Sequence, residues 1–174
     1  MEQGKLETGA TARLYALGGN ATLTVVSLKT GMRFTYRIRK PAPHATEPAE
    51  VRPWWVSVLA RPENDADGSY TFIGGIKRQA ANAPLFYWHS PRSSIGSTAP
   101  SAQAASWFFP RLLAATELRD VEIWHEGRCG RCGRKLTVPE SVAAGFGPEC
   151  SDVLGLSQPA AASQRPHNLA EEML

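Results

Sequence analysis

The chain has 174 residues, of which 43% are hydrophobic, and its formal net charge is +3 at pH 7. This length suits one domain, or one domain with a small module, and the hydrophobic content suffices for a core. The mild charge permits nucleic-acid binding but is much less basic than that of a protein dedicated to coating nucleic acid. The lack of a secretory signal or a long apolar span predicts a cytoplasmic protein without membrane contact.

Alternating residues predict an antiparallel sheet in the first half of the chain, after a loose lead-in at residues 1–18. In the strand at 33–40, Phe34, Tyr36 and Ile38 point to one side, and the intervening arginines point to the other. A turn at 29–31 joins this strand to one at 22–28, in a hairpin. Further strands are predicted at residues 54–60, 70–78, 85–89 and 121–124.

Several local features refine this prediction. The strand at 54–60 is apolar on both faces, which favours a central position in the sheet. Gly74 and Gly75 indicate a bulge or a close backbone approach. Loops are predicted at 41–53 and 91–100. The acidic turn at 61–69 has too few ligands for a calcium loop, so we interpret it as a solvated turn.

One main helix is predicted at residues 101–118, capped by Ser101 and kinked or split at Pro110. Its apolar stripe is predicted to comprise Trp107, Phe108, Leu112 and Ala115. The fold class is therefore α+β: an antiparallel sheet of about five strands, one main helix and a C-terminal zinc-clipped module. We predict a β-rich domain at 1–120, a zinc-binding module at 121–156 and a flexible tail at 157–174.

All three cysteines of the chain, Cys129, Cys132 and Cys150, lie within twenty-two residues. A Cys-x-x-Cys turn with glycines aims two thiolates at one metal ion, and a distant thiolate completes the set. We predict a zinc site with His125 as the fourth ligand. A redox pair is less favoured, because no thioredoxin-like strand–helix unit surrounds the turn. Alternatives for the fourth ligand are His167, Asp152, Glu149 and water.

Two groups of basic residues are candidates for a nucleic-acid or partner surface. They can contact phosphates, or they can be a solvated sheet face and charge compensation for the metal thiolates. Trp54, Trp55, Tyr87 and Trp88 can stack on bases, although core positions are the favoured interpretation for most of them. The first group is Arg33, Arg37, Arg39 and Lys40, and the second is Arg128, Arg131, Arg134 and Lys135.

Residues 129–150, CGRCGRKLTVPESVAAGFGPEC, resemble the zinc-binding signature of a family of uncharacterised small proteins common in bacteriophages and other mobile elements. The segments TGMRFTYRIRK, WWVSVLARPENDADGSYTFIGGIKR and VEIWHEGR resemble longer members more weakly. The resemblance implies a phage-type protein with a treble-clef-like zinc module, acting in a bacterial host cell. It implies no enzymatic activity.

These observations lead to three expectations for function. The first is a non-enzymatic, zinc-binding accessory protein that contacts nucleic acid. The alternative is a protein-binding inhibitor or adaptor, such as an anti-defence (anti-CRISPR-like) protein acting on a host complex. A zinc enzyme ranks last, because a Cys₃His site would have no open metal position.

Overall fold

The computed structural model describes residues 4–43, 48–49, 51–61 and 67–156, and within them the chain forms one seven-stranded sheet and four short α-helices. The strands are β1 (Lys5–Leu6), β2 (Asn20–Ser27), β3 (Arg33–Arg39), β4 (Trp54–Leu59), β5 (Tyr70–Lys77), β6 (Phe86–His89) and β7 (Val121–His125). The helices are α1 (Ala10–Ala16), α2 (Pro100–Leu113), α3 (Pro139–Ala144) and α4 (Pro148–Val153). The α+β class is confirmed, with seven strands where about five were predicted.

All neighbouring strands are antiparallel, in the order β1-β7-β2-β3-β4-β5-β6. The predicted hairpin of β2 and β3 is confirmed. Among the described residues, no helix is long and apolar enough to cross a membrane. The predicted tail at 157–174, part of the loop at 41–53 and the carboxylates Glu63 and Asp65 of the acidic turn lie outside the described residues.

The N-terminal segment is structured where a loose lead-in was predicted. Strand β1 has only two residues, which pair with β7, Leu6 opposite Ile123. Helix α1 buries Ala12, Tyr15 and Ala16 completely. Neither element is long enough to show a period in the sequence, and both are stabilised by contacts with segments more than 100 residues away.

Strand β7 lies inside the sheet, between β1 and β2, although it comes from the far end of the chain. Its pairing with β2 runs from Leu23 opposite His125 to Ser27 opposite Val121. The β-rich segment and the segment that carries the cysteines therefore share one sheet. The cysteine loop begins directly where an interior strand ends, so its position is set by the sheet.

The sheet has one covered face and one open face. The predicted alternation in β3 is confirmed, because Tyr36 and Ile38 are buried in the core. Hydrogen bonds hold helices on this core face: the Tyr36 hydroxyl donates to the Ser101 carbonyl at 2.8 Å, and the Trp54 indole donates to Leu17 at 3.1 Å. Within the described residues, the opposite face of β3–β6 is left without a covering helix.

We call this open side of β3–β6 the outer face. Its residues alternate with the buried ones and follow from the strand register. They are Arg33, Thr35, Arg37, Arg39, Trp55, Ser57, Leu59, Tyr70, Phe72, Gly75, Lys77, Phe86 and Trp88.

Strand β4 is an interior strand, as predicted, and its two apolar faces differ in burial. Trp55 points to the outer face and is 41% exposed. The predicted close approach at Gly74 is confirmed: a Cβ there would lie 2.0 Å from the Trp88 carbonyl oxygen. The register shift lies beside it, at Val56 and Ser57.

Helix α2 begins one residue before the predicted start and ends five residues before the predicted end. Ala99 occupies the N-cap with no side-chain cap, so the predicted cap at Ser101 is wrong, and the helix runs through Pro110 without a break. Of its predicted apolar stripe, Phe108 and Leu112 are buried, as predicted, and the other two residues are not part of the buried side. Phe109 is fully buried, whereas Trp107 is 43% exposed and Ala115 lies beyond the helix end.

This correction can be tested with two single variants of α2. Phe109 packs against Tyr36 and Tyr87, with ring centroids 5.3 and 5.0 Å away. Phe109→Ala should lower the free energy of unfolding by about 3–5 kcal/mol, because it removes a fully buried ring. Trp107→Ala should cost less than about 1 kcal/mol. Urea denaturation measures both; a larger loss for Trp107→Ala would contradict the observed helix orientation.

Candidate metal centre

The first two cysteines lie in a tight turn that follows β7. Its two sides meet as a β-bridge between Arg128 and Lys135. The Cys129 amide donates to Arg134 at 2.8 Å, and the Gly133 amide donates back to Cys129 at 2.9 Å. Gly133 has φ +74°, a left-handed conformation that glycine adopts without a steric penalty. We call residues 128–135 the knuckle.

The third cysteine comes from α4. Gly147 precedes this helix, Pro148 is its first residue, and Cys150 lies in its first turn with its side chain buried. The sulfur atoms of Cys129, Cys132 and Cys150 all lie within 4.8 Å of one another. Sulfur atoms in a tetrahedral zinc–thiolate site are about 3.8 Å apart. The three cysteines therefore form a group that could hold a metal ion.

The environment of the thiols favours at least one thiolate. Burial alone would raise the pKa of the Cys129 thiol, but hydrogen bonds from the backbone amides of Cys132, Gly147 and Arg131 lower it to about 7. Burial raises the pKa of the Cys150 thiol, opposed by the Arg131 guanidinium at 3.8 Å from its sulfur. Backbone amides aimed at a buried sulfur suit a metal-bound thiolate, because they stabilise its negative charge.

Tyr15 of α1 packs against the knuckle. Its ring lies against Gly130, where an added Cβ would be 2.8 Å from the ring, and against Gly145, where the distance would be 2.5 Å. Its hydroxyl donates to the Arg128 carbonyl at 3.1 Å. The buried ring of Phe146 packs beside it, with the centroids 6.0 Å apart. One aromatic side chain thus joins the knuckle to the end of α3.

The knuckle is also bound to the start of β2. The backbone amide of Asn20 donates to the Gly130 carbonyl at 2.8 Å, and the Asn20 side chain lies beside Gly133. A Cβ at Gly18 would be 2.6 Å from the same carbonyl oxygen, so the backbones approach closely at this point. These contacts fix the position of the cysteine turn relative to the sheet without involving a metal ion.

His125 does not join the cysteines, contrary to the predicted four-ligand set. The Gly127 amide donates to its Nδ1 at 3.0 Å, and its Nε2 donates to the Val142 carbonyl at 2.8 Å. Its ring packs 5.1 Å from Tyr15, and burial lowers its pKa, which favours the neutral form. Both ring nitrogens are engaged by backbone groups, so the imidazole connects β7 to α3 instead of reaching the thiolates.

The predicted alternatives to His125 are not members of the group either. Glu149 and Asp152 are exposed, and a Glu149 carboxylate oxygen lies 3.4 Å from the Arg134 guanidinium. His167 lies outside the described residues. A zinc enzyme ranked last on the assumption of a closed Cys₃His site, and the position of His125 removes that assumption.

The predicted basic residues take different environments. Arg33 and the four knuckle residues Arg128, Arg131, Arg134 and Lys135 are exposed. Arg37 lies over the Tyr70 ring at 3.7 Å, and Lys40 lies over the Trp54 ring at 3.9 Å. Arg39 donates to the Ala21 carbonyl, and burial lowers its pKa. Arg39 is thus partly a structural residue.

The two basic groups meet at one corner of the molecule. Asn20, which bonds to the knuckle, pairs with Arg39 in the sheet. The neighbouring Lys40 amide donates to the Gly19 carbonyl at 3.0 Å. The structure therefore brings the C-terminal end of β3 next to the knuckle, while Arg33 lies at the opposite end of that strand.

Two features of this region were not identified from the sequence. The sequence gives no sign of the contact between Tyr15 and the knuckle, because α1 is too short a helix to show a period in the sequence. Most of the aromatic residues are predicted to lie in the core, but they divide by face: Trp54 and Tyr87 contact the core side, and Trp55 and Trp88 lie on the outer face. The alternation of adjacent tryptophans along a strand would have indicated this division.

Residues 124–155 match a protein family described as a family of unknown function, DUF6011. The match covers the end of β7, the knuckle, α3 and α4, and so includes all three cysteines. It spans 32 of 174 residues, the segment that carries the three cysteines. No curated protein and no solved structure shows significant similarity to the chain.

The contact between Tyr15 and the knuckle predicts an effect of Gly130→Ala. The added methyl group would meet the Tyr15 ring and its carbonyl oxygen at 2.8–2.9 Å, so the turn or the ring must shift. We expect a loss of about 1–3 kcal/mol in stability and weaker metal binding. Gly96→Ala is the matched control, since no atom lies within 4 Å of its added Cβ. Equal metal affinity and thermal stability in both variants would contradict the proposed support.

Metal stoichiometry distinguishes the cysteines from His125. Cys129→Ser and Cys150→Ser should bind well below the roughly one metal ion per chain expected of the unaltered protein. His125→Ala should retain that stoichiometry but lose about 1–3 kcal/mol of stability, because the Val142 carbonyl and Gly127 amide lose their partners. Elemental analysis and urea denaturation measure the two quantities. Loss of metal from a folded His125→Ala protein would restore His125 as a ligand.

Proposed function

We propose that this chain is a non-enzymatic accessory protein, of the phage type implied by the resemblance, that binds structural zinc and contacts nucleic acid through the outer face and the adjoining knuckle. The observation that carries the proposal is the charge of the open sheet face. Strands β3–β6 contain 25 residues, and none of them is Asp or Glu. Their outer face presents Arg33, Arg37, Arg39 and Lys77.

Zinc is the metal that best suits three soft thiolates. A structural role fits the location of the ligands, since they connect the knuckle to α4, and Cys129 and Cys150 are part of the same buried core as Leu136, Val142 and Phe146. Metal binding would add folding free energy to this end of the chain.

Nucleic acid fits the distribution of charge along the sheet. At the other edge, Lys5 forms an ion pair with Glu122 at 2.7 Å, so the positive charge there is compensated. On β3–β6, two of the four basic side chains lie over aromatic rings: Arg37 over Tyr70 at 3.7 Å and Lys77 over Trp88 at 4.9 Å. A polyanion with aromatic bases is complementary to a surface that combines these two properties.

The knuckle adjoins this surface at Asn20, which bonds to the knuckle and pairs with Arg39 of β3. Arg134 has a partner in Glu149, and Arg131 lies next to the Cys150 sulfur, so these two charges have local roles. Arg128 and Lys135 are exposed and lie opposite each other in the β-bridge. Arg128 donates to the Gly133 carbonyl at 3.2 Å, and this neutral partner does not compensate its charge. We propose that these two residues, rather than all four, continue the phosphate-contacting surface.

Salt dependence tests this proposal. Arg33→Gln combined with Lys77→Gln should lower the slope of log affinity against log salt by about 0.7–0.9 for each phosphate that is no longer neutralised. Arg111→Gln is the control for the loss of one positive charge, and the single variants Arg33→Gln and Lys77→Gln are each compared with it. It lies on α2, on the opposite side of the sheet, where Arg111 stacks on Trp107 at 4.4 Å. Arg39 is avoided, because its backbone hydrogen bonds stabilise the fold.

Fluorescence anisotropy with labelled single-stranded DNA, RNA and duplex DNA provides the measurement. The unaltered protein should bind at least one of these nucleic acids at low salt, and Arg111→Gln should bind it with the same affinity as the unaltered protein. Absence of binding to every probe would overturn the proposal. The protein-binding inhibitor, which stays a prediction, would then be the candidate to test.

A further inference from the structure

The outer face carries an open aromatic cleft at the β4–β6 side of the sheet. A cavity of about 410 Å³ is lined by Trp55, Phe72, Trp88, Ser90 and Arg92. The Trp55 ring centroid lies 5.8 Å from Phe72 and 6.0 Å from Trp88, with interplanar angles of 70° and 71°. The cavity volume lies within the range of about 300–1,000 Å³ that is usual for small-molecule sites.

The geometry of the cleft depends on a glycine. Gly75 lies opposite both Trp55 and Trp88 in the register of the sheet. A Cβ at Gly75 would be 2.3 Å from the Trp88 ring, so this ring occupies the space that a side chain would take. The Lys77 amine lies 4.9 Å from the centre of the same ring. Trp88 is therefore held in place before a ligand arrives, which lowers the entropic cost of binding.

Exposure of aromatic rings at this site is more than the sheet requires. Trp55 is 41% exposed on the outer face. The solvated face of an antiparallel sheet usually carries polar residues, so an exposed indole there departs from the usual pattern. Exposed aromatic groups beside cations are suited to flat, anionic ligands. Arg92 is exposed at the margin of the cleft, and the Arg37–Tyr70 pair lies further along the same face.

We propose that this cleft binds single-stranded nucleic acid by stacking unpaired bases on Trp55 and Trp88, with phosphates beside Arg92 and Arg37. This inference rests on the proposed function and names its substrate class. In a duplex, both faces of each interior base are covered by neighbouring bases, so the rings would have no free base to contact. Single strands expose those faces, and stacking accepts any base.

Trp55→Ala tests the stacking contact, with Trp107→Ala as a closely matched control. Trp107 is 43% exposed on α2, so the control removes an equally exposed indole from the opposite side of the sheet. We expect Trp55→Ala to weaken binding of a short oligodeoxythymidylate by about 5- to 150-fold, the effect of removing one stacked base. Trp107→Ala should bind normally, and Trp55→Phe should restore most of the affinity.

An abasic oligonucleotide of the same length separates base stacking from phosphate contacts. The unaltered protein should bind the abasic strand less tightly than the intact single strand. It should also bind a duplex of the same sequence less tightly than the intact single strand. Trp55→Ala should lose most of this preference while unfolding at the same temperature and retaining its metal. Gly75→Ala, which displaces the Trp88 ring, should weaken single-strand binding in the same way, with folding checked by circular dichroism.

The results also distinguish this inference from the proposed function. Equal affinity for the intact and abasic strands would overturn base stacking and leave the nucleic-acid proposal standing. Equal weakening by Trp55→Ala and Trp107→Ala would overturn the location of the site. Absence of binding to the single strand, the abasic strand and the duplex at low salt would overturn both proposals together.

Discussion

The packing of the Tyr15 ring between Gly130 and Gly145 is the contact on which the arrangement of this protein depends. The ring comes from a short helix near the N-terminus, and both glycines come from the cysteine-rich segment. It also stacks near His125, the last residue of β7. Burial raises the pKa of its hydroxyl, which stays protonated and donates to the knuckle. A side chain at either glycine would push these segments apart.

The position of β7 explains why this contact matters. A strand that lies between β1 and β2 delivers the chain directly to the knuckle, and Asn20 bonds the knuckle to β2 from the other side. The cysteines are therefore preorganised by the sheet. Metal binding to such a loop would connect the knuckle and α4, and the cysteine segment shares one hydrophobic core with Leu23, Ile38, Val56 and Ile123 of the sheet.

The two faces of the sheet have different roles, one in stability and the other in the proposed recognition. Tyr36, Phe109 and Tyr87 fill the core face with stacked and edge-on rings. The same strands direct Trp55, Phe72 and Trp88 to the opposite side, where Gly75 leaves space for a ring in place of a side chain. Because side chains alternate along each strand, one set of sequence segments supplies both surfaces.

The sequence by itself determined the local features that repeat over a short distance. Alternation along β3 predicted its two faces, and the spacing of Cys129, Cys132 and Cys150 predicted a common metal group. The tertiary structure alone decided the contacts between distant segments. It decided that β7 lies inside the sheet and that the ring nitrogens of His125 form hydrogen bonds with backbone groups. It also decided that Trp55 is exposed although the adjacent Trp54 is buried. The physical reason is that a short-range pattern specifies which way a side chain points, whereas its partner depends on which segment packs there.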